Sequence, residues 1–272
     1  GVVPGAVLRV RYRTQWDRYP MPHPLLTIPL GDDTPVIDSQ VEVTVPQDSA
    51  FHYAFERSAS VDPLVRQTLH GTTYSWQFKD RVPIPAEGLM PPDHRPALLI
   101  STFPDWGAFA EWYARIVKLA DELTPELAET ARELTRGAKT DRDRVRAVYG
   151  YVTGLRYVAV PLGVNSFRPH AAAQVFKNQF GDCKDKANLF NTLLRSLGLE
   201  AFLVLVPRFS QAHDAVPGLA FNHALSRVTL NGETLWVDTT DDVCRFGMLP
   251  PGDAGRKVLA IDGTSTTLTE LR

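Results

Sequence analysis

Two textures of hydrophobic patterning divide the chain near Pro104. Ahead of it, apolar and polar residues alternate in short runs. Val7, Leu8, Val10 and Tyr12 begin a strand-like run mixed with Arg9, Arg11 and Arg13. Residues 39–45 alternate cleanly, with Val41, Val43 and Val45 on one face, and Pro46 ends the run. Phe51, Tyr53 and Phe55 alternate again. Residues 69–78, broken at Gly71, predict another pair of short strands. Prolines punctuate these runs, and no helix of convincing length is visible before residue 102. The pattern predicts an antiparallel β-sandwich over residues 1–104.

After Pro104 the period lengthens. Residues 106–123 have helical spacing, with Phe109, Trp112, Ile116 and Leu119 along one side. Thr124-Pro125-Glu126 is a helix start, with an N-cap hydroxyl, proline at the first helical position and an acid in the first turn. That helix stops at Gly137. Thr140 with Asp143 resembles a capping box for a third helix, which carries Val145, Val148, Tyr149 and Val152 and ends at Gly154. A short β stretch, 156–160, precedes a Gly/Asn/Pro loop over 161–170, and the apolar run 201–206 fits a buried strand. Residues 105–272 are therefore expected to form a second, α+β domain.

Composition narrows the function classes. The 272 residues are 44% hydrophobic and 22% charged, ordinary values for globular domains rather than disordered chain. A net charge of -2 and a pI near 6.4 argue against a nucleic-acid partner. No run approaches the ~18 apolar residues of a membrane span. The chain opens without a basic and apolar leader and without Met, so we expect a processed or trimmed piece of a longer protein, with its location left open. The seven histidines are scattered, without an H-x-x-x-H pair, and no Gly-rich phosphate loop stands out. Neither a metal nor a cofactor is expected. Two cysteines, Cys183 and Cys244, cannot make a disulfide framework. Each is either a quiet thiol or a reactive one.

Cys183 lies in the densest signal, Phe180-Gly-Asp-Cys-Lys-Asp-Lys-Ala187. From it, Ala187, Phe190, Leu194 and Leu197 follow on one helical face, and Gly198 is the natural stop. Asp182 can act as N-cap, which puts Cys183 at the first helical position. A thiol there meets the positive end of the helix dipole and free backbone N–H groups, an environment that favours a thiolate. The Cys183 N–H is also free to donate to a developing oxyanion. The alternative is a small buried thiol facing the core. Lys184 and Lys186 either raise the local positive potential or make exposed first-turn contacts, for example with Asp185. Cys244 has neither a helix start nor a base nearby and reads as a bystander.

Downstream, residues 223–230 and 233–238 flank Asn231-Gly232, the strongest short signal for a two-residue type I′ hairpin. With Leu230 opposite Glu233, Leu225 falls opposite Asp238 and His223 lies two residues along on the same face. Such diagonal neighbours are ~7–8 Å apart at Cα, within reach of a carboxylate–imidazole contact. A three-residue loop would shift the register and separate them. Cys183, His223 and Asp238 together suit nucleophilic catalysis: the thiolate attacks a carbonyl carbon, the imidazole moves the proton, and the carboxylate holds the ring.

The stretches Gly181-Asp-Cys-Lys-Asp-Lys-Ala187, Leu193-Leu-Arg-Ser-Leu-Gly-Leu-Glu-Ala201, Phe221-Asn-His-Ala224 and Trp236-Val-Asp-Thr-Thr240 resemble the bacterial transglutaminase-like cysteine proteins of the papain-like group. The resemblance covers roughly residues 105–260. It implies a Cys-bearing helix packed on an antiparallel sheet that carries His223 and Asp238. It also implies acyl transfer through a thioester, with peptide or protein amides, cell-wall peptides included, as substrates. The β half resembles a domain of unknown function that often precedes this core in exported, periplasmic proteins. Papain-type enzymes carry an oxyanion-hole Gln six residues before the cysteine, where this chain has Lys177. Gln174, Asn178, Gln179 and Tyr157 are the polar alternatives beside the Cys183 N–H. Asp182, Lys184, Asn222 and Trp236 are expected next to the site, Trp236 either shielding the His–Asp contact or packing in the core. His170 either lines the cleft or caps a loop. A binding or scaffolding module that keeps the fold without the reaction is the alternative function, and the β half is a candidate for a protein or glycan partner in either case.

Overall fold

The computed structural model describes residues 3–17, 19–85, 95–160, 166–208, 210–241 and 243–272. The first six strands are β1 (Leu25–Pro29), β2 (Val36–Val45), β3 (His52–Glu56), β4 (Leu64–Thr68), β5 (Gly71–Arg81) and β6 (Ala97–Ser101). They form two three-stranded antiparallel sheets, β1-β6-β3 and β2-β5-β4. One apolar cluster joins them. Leu98 and Ile100 of β6 meet Trp76 and Phe78 of β5 there, and Phe51 stacks on Tyr74 at 3.9 Å. The alternate residues of β6, Ala97 and Leu99, pack with Val216 from the later half of the chain. A strand covered on both faces reads as a continuous apolar run, and 97–101 does.

Two expectations for this half change. Residues 7–12 belong to no sheet among the described residues, and Val7 is 94% and Tyr12 87% exposed. Alternation produces a strand only where a neighbour accepts its hydrogen bonds and covers one face. The break in the 69–78 stretch falls two residues earlier than Gly71. Leu69 and His70 form the turn, and Gly71 already pairs with Thr68 at φ +130. A Cβ there would sit 1.9 Å from the Val45 carbonyl oxygen, so only glycine fits.

The rest of the chain is helical and then β. Helix α1 (Trp106–Lys118) is capped by Asp105, α2 (Pro125–Leu134) by Thr124, and α3 (Asp141–Thr153) by the Thr140–Asp143 capping box. The buried face of α1 runs through Trp106, Phe109, Tyr113 and Val117 rather than Ile116 and Leu119. The helix has apolar residues on two adjoining stripes, and the sheet selects one. Strand β7 (Arg156–Tyr157) pairs in parallel with β8 (Phe180–Gly181), and between them lies α4 (Ala172–Asn178). Of the expected 161–170 loop, residues 161–165 fall outside the described residues. Helix α5 (Cys183–Ser196) packs on an antiparallel sheet of β9 (Ala201–Val206), β10 (His223–Leu230), β11 (Glu233–Val237), β12 (Lys257–Ile261) and β13 (Thr269–Glu270), in the order β11-β10-β9-β12-β13.

Helix α5 is buried all round from Lys184 to Leu194, not on one face alone. Two of its polar side chains donate to carbonyls of neighbouring segments, while Asn188 Oδ1 and Asn191 Oδ1 are buried without a partner among the described residues. Lys186 donates to the carbonyls of Thr153 and Leu155, and Asn188 to those of Ala120 and His170. The expectation of exposed first-turn lysines is thereby corrected: three helices and a sheet surround this helix, and a lysine ammonium there finds carbonyls instead of water.

Candidate active site

The thiol is placed by local geometry. Asp182 accepts from the Asp185 N–H at 3.2 Å, and Asp185 accepts from the Asp182 N–H at 3.3 Å, a reciprocal capping box. Asp185 also accepts from His170 N–H at 2.8 Å and meets His170 Nδ1 at 3.0 Å, so His170 ties the preceding loop to the helix start. Lys184 pairs with Asp182, not with Asp185, and both are buried. The half-buried Cys183 then opens α5, where the first N–H groups lack intrahelical partners.

The hairpin places the imidazole. Asn231 (φ 52) and Gly232 (φ 83) both adopt the left-handed turn conformation, and Leu230 pairs with Glu233. His223 Nε2 lies 3.0 Å from Asp238 Oδ2, with both residues at least 94% buried. Cys183 lines the same cleft as the ring. Burial alone would lower the His223 pKa, but the bond to Asp238, the neighbouring Cys183 and the field of Asp238 raise it to about 9. Burial opposes the charge of Asp238. The contacts with His223 and with the Thr240 N–H and hydroxyl outweigh it and hold the carboxyl well below its usual range.

The β7–β8 ladder brings Tyr157 to the same spot, since Tyr157 pairs with Gly181 and the Val158 N–H donates to the Gly181 carbonyl. Tyr157 lines the same cleft as Cys183, and burial, followed by the nearby Cys183 and Asp182 charges, pushes its pKa up to about 12. The phenol keeps its proton and can donate. The glutamines lie elsewhere. Gln179 is the left-handed cap of α4, and its amide donates to the Tyr151 hydroxyl and the Phe176 carbonyl. Gln174 and Asn178 line a separate small pocket with His170 and Asp185, and Lys177 is exposed. Trp236 packs with the Val204, Val206 and Leu225 cluster. Cys244 sits apart from the imidazole, its thiol raised by burial and by the Asp241 carboxylate.

Two residues that the sequence reading passed over support the acid. Arg208 donates to Asp253 through Nε at 2.6 Å and Nη2 at 2.7 Å, and Nη2 also donates to Asp238. Burial works against the guanidinium, but the two carboxylates more than compensate and hold it protonated. Asn222 grips the backbone of Arg208 from both sides, accepting from its N–H and donating to its carbonyl, each at 2.8 Å. His223, Asp238 and Asp253 bring one ligand atom each within 4.8 Å of one another, a donor set of metal type. Here Arg208 already bridges the two carboxylates, so a fixed guanidinium supplies the cation.

Comparison with known proteins bears on the fold. Residues 128–239 match the family model of the Transglutaminase-like superfamily, within a chain of mixed α+β fold. No curated protein matches it. Among solved structures it resembles a candidate protease from Parabacteroides distasonis, with a TM-score of 0.73 and 18% identity over 92% of this chain and 48% of that one. The chain thus spans about half the length of that protein. A candidate cysteine protease from Cytophaga hutchinsonii (TM-score 0.35, 12% identity, 80% of this chain and 75% of that one) is more distant. So is the periplasmic domain of TgpA from Pseudomonas aeruginosa (TM-score 0.33, 15% identity, 76% and 70%). No helix among the described residues is long and apolar enough to cross a membrane.

Proposed function

We propose that this protein is a cysteine acyl-transfer enzyme acting on peptide or protein amides, cell-wall peptides among them. The observation that carries the reading is a buried imidazole bonded to a carboxylate in the cleft that a helix-start thiol also lines. The Cys183 sulfur, its proton already held by His223, attacks the amide carbonyl carbon. The C–N bond breaks, and the imidazolium protonates the departing amine. Water or an acceptor amine, deprotonated by the same ring, then opens the thioester and returns the thiol. Asp238 fixes the ring through Nε2, and the Cys183 N–H with the Tyr157 hydroxyl receives the oxyanion. The β half is read as a sandwich domain beside the cleft, available to a protein or glycan partner, and an exported location belongs to the same proposal.

The test is turnover of peptide and peptidoglycan-fragment libraries by wild type and Cys183→Ala. Free amines mark hydrolysis and new isopeptide bonds mark transfer. Alkylation near pH 7 should label Cys183 before Cys244, and His223→Ala should slow labelling of Cys183 alone. Turnover that survives Cys183→Ala would sink the proposal.

A further inference from the structure

The cleft beside Cys183 is built from both halves of the chain. It encloses about 240 Å³ and is lined by Phe109, Trp112, Phe167 and Phe221 of the α+β half and by Met21 and Leu25 of the β half. We propose that this cleft is a subsite for one uncharged aromatic or branched aliphatic side chain of the acyl donor, and that Met21 and Leu25 determine its specificity. The inference rests on the acyl-transfer reading above and adds to it the class of donor.

Three observations carry it. First, the volume lies below the ~300–1,000 Å³ of pockets that hold whole drug-sized ligands, so it suits a single side chain. Second, the cleft offers no spare charge among the described residues. Its ionic side chains are already paired, Asp182 with Lys184 and His223 with Asp238. A Glu or Lys side chain entering the aromatic wall would lose its hydration without finding a partner. Third, the wall is preformed. Phe109 lies 6.1 Å from Phe221 and Trp112 lies 5.5 Å from Phe167 between ring centroids, and the Tyr113 hydroxyl pins the Phe167 carbonyl at 2.6 Å.

The β half is held against this wall rather than merely near it. Leu25 pairs with Ser101, and its carbonyl accepts from the Tyr19 hydroxyl at 3.1 Å. Gly218 (φ +91) lets the two halves close. A Cβ there would fall 2.8 Å from the Phe109 ring and 3.2 Å from Leu25 Cδ1. A side chain seated in the cleft would therefore touch Leu25 and Met21 as well as the aromatic cluster.

The experiment reads binding without turnover. Cys183→Ala protein is titrated with acetyl-Ala-X amides, where X is Phe, Leu, Glu or Lys, following the fluorescence of Trp112 or calorimetry. The Phe and Leu peptides should bind at least about tenfold tighter than the Glu and Lys peptides. Leu25→Ala and Met21→Ala should each weaken Phe binding about fivefold and leave Glu binding unchanged. Met21 lies outside every strand, so its variant tests the subsite even if Leu25→Ala loosens β1. Equal affinities across X, no binding of the Phe peptide, or a Phe preference untouched in a folded Met21→Ala protein would overturn the subsite. Absence of Cys183-dependent turnover in the parent protein would instead overturn the acyl-transfer reading and leave these affinities standing.

Discussion

Arg208 holds Asp253 in a two-point contact, at 2.6 and 2.7 Å, and with one of those nitrogens also reaches Asp238, the carboxylate that orients His223. Asp253 is 0% exposed and paired with this guanidinium. Truncating one partner of such a buried pair costs about 3–5 kcal/mol, because the other is left uncompensated. Arg208→Met should therefore lower stability by roughly that amount in denaturant titrations, and Arg208→Met with Asp253→Leu should recover part of it. The pH profile separates positioning from folding. Without the cation the field at His223 becomes more negative, so the basic limb of kcat/KM should move upward. An unmoved limb would leave Arg208 a purely structural residue.

Asp238→Asn should move the same limb the other way. The folded His223 pKa of about 9 stands above the ordinary value of 6.5. Its contribution to stability is thus fully present below pH 6.5 and is lost as pH rises through about 9. The catalytic basic limb should fall near pH 9 in the wild type and near the ordinary histidine range in Asp238→Asn. A wild-type limb already near 6.5 would mean that the imidazolium gains nothing from its two partners.

Tyr157→Phe removes a hydroxyl and little else, since the ring is half exposed. If the phenol donates to the oxyanion, kcat should fall about 10²-fold with KM nearly unchanged, in keeping with the loss of a single oxyanion donor. Thermal stability should barely move. A change confined to KM would assign Tyr157 to substrate binding.

The parts of the site legible in the sequence are those fixed by neighbours along the chain. Asp182 and Cys183 announce a capped helix start, and Asn231-Gly232 fixes the register that carries His223 to Asp238. What escaped depends on packing between distant segments. Arg208 follows Pro207 and Asp253 follows Pro-Pro-Gly, so each reads as a solvated turn charge, and no spacing rule pairs residues 45 apart. Lys186 looked exposed because a lysine in a first turn usually is, yet it closes the end of α3. Helix α4 was missed because no side chain caps its start and its seven residues are too few to show a period. On α1 the choice between Tyr113 and Ile116 as the inward residue needed the sheet.

Gly181→Ala tests how tightly the nucleophile is held. A Cβ at Gly181 would lie 2.7 Å from Asp185 Cβ and 3.3 Å from Val175 Cγ1. Asp185 cannot retreat freely, because its carboxylate holds both the Asp182 N–H and His170. The helix start must shift instead, carrying the Cys183 N–H and thiol with it. Overpacking of this kind costs about 1–3 kcal/mol. Displacement of the reacting atoms by about 1 Å should lower kcat on the order of 10²-fold. Gly150→Ala is the control. It lies within α3 with nothing within 4 Å of an added Cβ, so it should stabilise the protein by about 0.5–1 kcal/mol and leave kcat alone. Equal behaviour of the two variants in denaturant titration and turnover would show that the approach at Gly181 has no part in placing Cys183.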